Sequence, residues 1–196
     1  NFKLNFVMKK TFLTAFAALL VAIPAVQAQK VNKSGLLTKI EKSDADIADA
    51  KKNAKASTWI NRGKALYEAA VEPTKSLFVN MDAAMLKLAV GEPKSTAKET
   101  LNGAEFDAWV YPYFTAYVKD NKVVTWKQSK WVLKDAPKKA IEAYNKAYEI
   151  DPKSAAKAKD GLQQISDFCS QVGNTGIDTG EYVAAADAYA TAFRAQ

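Results

Sequence analysis

Apolar positions follow two different rhythms along this chain. In the C-terminal third they recur every three or four residues. The ladder Ala155, Ala158, Leu162, Ile165, Cys169, Val172 predicts one long helix over about 155–178. "DTG" (178–180) then supplies a turn, with Gly180 at the helix end. In "KAIEAYNKAYEIDP" (139–152), Ala140, Tyr144 and Ala147 share one helix face, and Asp151-Pro152 stops the helix. "GEYVAAADAYATAF" repeats that face with Tyr182, Ala185, Tyr189 and Ala192. Upstream, "STWINRGKALYEAA" places Trp59, Gly63 and Leu66 at helical spacing.

The middle of the chain switches to alternation. Residues 72–135 hold nine of the 21 aromatic residues, too many for a flexible loop. A short helix is expected from Asp82 to Val90, capped by Asp82 or Asn80 and ended by Gly91-x-Pro93. Strands follow, with Asn102-Gly103 and Asp120-Asn121 as hairpin turns. A two-residue turn at Asp120-Asn121 sets Val118 opposite Val123, Tyr117 opposite Val124 and Thr115 opposite Trp126. Strict alternation then turns Val110, Phe114, Ala116, Val118 and Val123 toward the helix carrying Met85, Leu86 and Ala89. Trp109, Tyr111, Tyr113, Tyr117 and Trp126 form the opposite face, which either packs on the other helices or serves as a binding surface.

The helical signatures resemble the tetratricopeptide repeat. A-x3-Y-x2-A-x4-P at Ala140, Tyr144, Ala147 and Pro152 is similar to the repeat's second helix. W-x3-G-x2-L at Trp59, Gly63 and Leu66 is similar to its first, with Arg62 where a leucine is usual. Trp59 and Pro152 are 93 positions apart in the sequence, where roughly 28 would serve an uninterrupted repeat. The resemblance therefore implies a hairpin split by an insertion, with Gly63 packed against Ala140. A second repeat starts at Cys169, Val172 and Gly173, with Cys169 and Gly176 in place of aromatic residues, and stops at Gln196 before its closing proline. The implied fold is mostly α, a fragment of a right-handed helical solenoid carrying an inserted hairpin-rich α+β domain. On that reading the array continues beyond residue 196.

The inserted segment is itself similar, over about residues 80–131, to the small α+β domain of outer-membrane-assembly lipoproteins and β-lactamase-inhibitor-like proteins. The shared features are G-x-P after a helix and the hairpin "KDNKVVTW", with Asn121 in place of a glycine. This resemblance implies a protein-binding module.

The N-terminal end carries a third pattern. Lys9 and Lys10 precede an apolar run from Phe12 to Ile23, followed by Pro24 and small residues up to Ala28. That order reads as a signal peptide (8–28) cleaved after Ala28, after which no membrane anchor is expected. Residues 1–7 read as translated upstream sequence. The domain organisation expected is thus 1–7, signal peptide 8–28, N-terminal helices 29–71, insertion 72–135 and the remaining repeat helices 136–196. A periplasmic or secreted location follows, in a Gram-negative envelope.

Charge and composition narrow the function. The formal charge is +7, and removing Lys3, Lys9 and Lys10 takes it to +4. The remaining lysines are mixed with acids, as in "KIEKSDADIADAKKNAK", which suits a solvated helix face and not a nucleic-acid footprint. The lone Cys169 allows no internal disulfide. The chain has no histidine, no G-x4-G-K-[ST] and no G-x-G-x-x-G. No catalytic residue, cofactor or metal site is expected.

The family's groove-facing positions, carried over from the resemblance, fall on Ile60, Lys64 and Tyr67 in the first repeat and on Ser170, Asn174 and Ile177 in the second. They imply a groove for a protein or peptide, or else are ordinary solvated residues. The favoured expectation is a non-enzymatic exported scaffold that binds such a partner, of identity and oligomeric state left open. Two alternatives stand beside it. Binding resides in the inserted domain through Tyr111, Tyr113 and Trp126, or a catalytic domain lies beyond residue 196.

Overall fold

A computed structural model describes residues 31–196. The expected signal peptide and the residues before it lie outside that range. In chain order the elements are α1 (Lys33–Ala48), α2 (Ala50–Asn53), α3 (Ala56–Val71), α4 (Ala83–Val90), β1 (Ser95–Leu101), β2 (Ala104–Val110), β3 (Phe114–Lys119), β4 (Lys122–Gln128), α5 (Ala136–Ile150), α6 (Ala155–Asp178) and α7 (Tyr182–Arg194). A single 3-10 turn, Pro152–Ser154, joins α5 to α6.

This is a mixed α+β fold, and it corrects the expectation of a mostly α solenoid fragment. Among the described residues, seven helices are joined by a four-stranded antiparallel sheet of order β1-β2-β3-β4. The physical reason is a second hydrophobic core. Leu77, Met81, Leu86 and Val90 bury against Phe114, Ala116, Val118, Val123 and Trp126, separately from the core of the helices. The sheet and α4 therefore form a unit with its own driving force, not a decorated loop.

The helices pack as two hairpins. The most extensive helix contact joins α3 to α5, across the whole of the α+β segment, and the next joins α6 to α7. Both are keyed by a glycine against a tyrosine ring. A Cβ on Gly63 would lie 2.7 Å from the ring of Tyr144, and one on Gly173 would lie 2.7 Å from that of Tyr189. Gly63 thus meets Tyr144, one turn along the helix face from Ala140. Tyr144 also lies against Gly161 of α6, where a Cβ would fall 2.2 Å from the ring. One tyrosine so knits α3, α5 and α6, and it is 1% exposed. Arg62, the departure from leucine, is used by α1: its guanidinium donates to Ser43 Oγ at 2.8 Å and to Asp44 at 2.5 Å.

The sheet corrects the expected faces. Both marked turns form: Asn102 and Gly103 have φ of 49° and 83°, and Asp120 and Asn121 have 50° and 59°. Such left-handed pairs make tight hairpins whose twist suits the strands. A third turn, at Tyr111–Tyr113, separates β2 from β3 and swaps their parity, so that Trp109 pairs with Ala116. In β4 the register shifts after Val118↔Val123, so Tyr117 pairs with Thr125 and Ala116 with Trp126. Val124 is the extra residue of this bulge, and it carries Trp126 to the α4 side. Tyr111 and Trp126 are therefore core residues, 2% and 3% exposed. On α4, Ala83, Leu86 and Val90 are buried, whereas Met85 and Ala89 face outward.

Beside the packing of β4 on α6, two polar contacts join the sheet to α6 and α7. Lys127 of β4 pairs with Glu181 at the start of α7. Asn102 in the β1–β2 turn donates through Nδ2 to the Asp178 carbonyl at 3.1 Å.

Candidate functional site

The helical hairpins leave a groove between α3 and α6. Its volume is about 400 Å³. Val71, Leu77 and Phe168 give it an apolar floor, while Tyr67 rises from α3 on one side. From α6, Gln164, Asp167 and Gln171 line the opposite side. These three fall at i, i+3 and i+7, so one helix face presents them together. The same helix buries Ile165, Phe168 and Cys169 on its inner face, which fixes the rotation of the polar stripe.

The electrostatics are mild. Burial, and next the Asp167 charge, push the Tyr67 phenol above its ordinary value, so it stays protonated and able to donate. Asp167 accepts from Gln163 Nε2 at 2.8 Å and keeps acceptor capacity for a ligand. Lys75 at the rim is held by Glu72 at 2.8 Å. An apolar floor with amide, phenol and carboxylate groups on the walls can take an extended peptide, whose backbone needs donors and acceptors alike.

The structure distributes the expected residues unevenly. Of the groove-facing set, Tyr67 lines the groove. Ile60 is buried in the helical core at 5% exposure. Lys64 is exposed and outside the groove lining. Asn174 accepts a hydrogen bond from the Tyr189 hydroxyl at 2.5 Å, a brace between α6 and α7. Ile177 is 45% exposed, beyond the groove toward the end of α6. On the sheet, Tyr111 stacks on Phe114 with ring centroids 4.8 Å apart, and Trp126 lies in the same core, so neither offers a surface. Tyr113 is half-buried beside them. Reading by family position missed Gln164, Asp167 and Gln171. Their signal was a polar stripe one step around α6 from the apolar ladder.

Cys169 sits under a second groove, between α5, α6 and α7. Burial raises its thiol to about 11, which keeps it protonated and unreactive near neutral pH. Among the described residues no group of three or more His, Cys, Asp and Glu could hold a metal ion. None of the described helices is long and apolar enough to cross a membrane. Comparison of the chain with family models, with curated proteins and with solved structures found no match.

Proposed function

We propose that this chain is a non-enzymatic scaffold that binds an extended peptide or protein segment, exported to the cell envelope of a Gram-negative cell. The observation that carries the reading is the α3–α6 groove, with its apolar floor and its Tyr67, Gln164, Asp167 and Gln171 walls. The glycine-to-tyrosine contacts of both helical hairpins support a kinship with tetratricopeptide repeats in how those helices pair. The order of residues 8–28 supports export.

Site-specific photo-crosslinking in cells tests this. A photo-reactive residue at Gln171 should give a discrete adduct, and the same residue at exposed Lys159 should not. Asp167→Lys should abolish the adduct while leaving the helical content unchanged. An adduct pattern identical at both positions would sink the groove reading. Export is tested by mass: the envelope form should begin at Gln29.

A second reading is favoured by one observation. Phe78, Val79, Met85 and Leu88 form exposed apolar surface on the outer side of the α+β unit, with Leu88 89% exposed. Such a surface suits a protein interface. Loss of partner capture on Met85→Ser with Leu88→Ser, but not on Asp167→Lys, would move binding to that unit.

A further inference from the structure

A third concavity, of about 670 Å³, lies where the sheet meets the helices. The first turn of α1, the β2–β3 turn and the segment leading into α5 enclose it. Lys33, Lys130 and Lys134 line it together with Tyr113, Ser129 and Trp131, and no acidic residue does among the described residues. The neighbouring lysines are neutralised: Lys127 pairs with Glu181 and Lys138 with Asp187. Lys33, Lys130 and Lys134 form no ion pair with any described residue. Asp135, next along the chain, lines the groove beside α7, which shares Trp131 and Lys134 with this concavity.

Two further features converge on the same space. Lys33, the first residue of α1, brings that helix's N-terminal end to the rim, with no acidic side chain in the first turn and with the Asn32 side-chain oxygen accepting from the Gly35 N–H at 3.0 Å. Its aligned peptide dipoles add positive potential to that of the three ammonium groups. The walls are also fixed before any ligand arrives. The backbone N–H groups of Ser129 and Lys130 both donate to the Tyr113 carbonyl, at 2.8 and 3.1 Å. Trp131 is braced edge-on against Phe168, with centroids 6.2 Å apart.

We propose that this concavity binds a multivalent oxyanion carried on a planar or apolar body. The lysines take the oxyanion as point charges, and Tyr113 and Trp131 face the body. The oxyanion is either the phosphate of a small ester or the clustered carboxylates of an acidic peptide. The site is independent of the α3–α6 groove, and its test does not depend on the partner bound there.

The test is an amide NMR titration at low salt with three probes: inorganic phosphate, phenyl phosphate, and a pentapeptide of four glutamates around a central phenylalanine. Saturable shifts are expected at Lys33–Gly35 and Ser129–Lys134. Phenyl phosphate or the peptide should bind about tenfold tighter than inorganic phosphate, and the tighter of the two identifies the source. Replacing Lys33, Lys130 and Lys134 together by Gln should weaken binding by at least about tenfold, with circular dichroism unchanged. Tyr113→Ser should erase only the advantage over inorganic phosphate. Absence of saturable shifts with every probe, or shifts that persist unchanged in the triple variant, overturns the proposal. Equal affinity for all three overturns the role given to Tyr113 and Trp131.

Discussion

At the scale of single residues, Tyr144 concentrates more of the packing than any catalytic-looking group. Gly63 and Gly161 press on its ring from two helices, and with 1% exposure it has nowhere to move. Gly161→Ala is therefore expected to lose ~1–3 kcal/mol through overpacking, read as a lower urea midpoint. Gly173→Ala should lose less, because Tyr189 is only half-buried and can swing outward. Equal losses at the two sites would contradict this account. A second residue-scale effect concerns Cys169. Its folded pKa of about 11 lies above the ordinary 9.0, because burial disfavours the thiolate. A pKa raised on folding contributes stability that is fully present below the ordinary value and is lost as pH rises through the folded one. Stability should thus fall from about pH 9 upward, ahead of the decline from Tyr117 and Tyr144, which burial raises from 10.0 to about 12. Urea midpoints at about pH 8 and about pH 10 should differ less in Cys169→Ala than in the parent. An equal drop in both proteins would assign the alkaline loss to other groups.

At the scale of elements, the ends of helices and hairpins were legible because special residues mark them. Asn102-Gly103 and Asp120-Asn121 tolerate left-handed backbone, and Pro152 and Gly180 bracket α6. Side-chain facing was not legible to the same degree. It depends on parity, and parity is lost wherever one residue is gained or lost in a pairing. Pro112, sitting inside an apparently continuous strand, was the available sign of the β2–β3 turn, since proline cannot donate to a ladder. The bulge at Val124 had no such mark. Removing Val124 leaves the pairs on both sides intact, so Trp126 should stay buried. The loss should be far smaller than the ~3–5 kcal/mol expected for Trp126→Ala. Hydrogen exchange at the Trp126 indole N–H measures this, and a newly exposed indole would show that the bulge does not set the register.

At the scale of the whole molecule, two cores share one chain. One holds Leu66, Ala140, Tyr144 and Ile165 among the helices, and the other lies between the sheet and α4. Polar links between the units run through Lys127 with Glu181 and Asn102 with Asp178, and β4 also packs on α6. Such an arrangement predicts separable stability. Phe114→Ala, at a position with no exposure, should lower hydrogen-exchange protection across β2–β4 while α3 and α5 keep theirs. Equal loss in both units would mean that they unfold as one.

The amino-acid pattern by itself determined which stretches are helical and where the marked turns fall, because spacing, glycine and proline act locally; the pairing of α3 with α5 was expected only from the repeat resemblance. It also determined what the chain lacks: histidine and the phosphate-binding loops. The tertiary structure alone decided that the middle segment owns a core, that Tyr111 and Trp126 point into it, and which side of α6 lines the groove. Those outcomes depend on register and on the rotation of packed helices. Both are set by contacts between residues far apart in the chain, which no local pattern encodes.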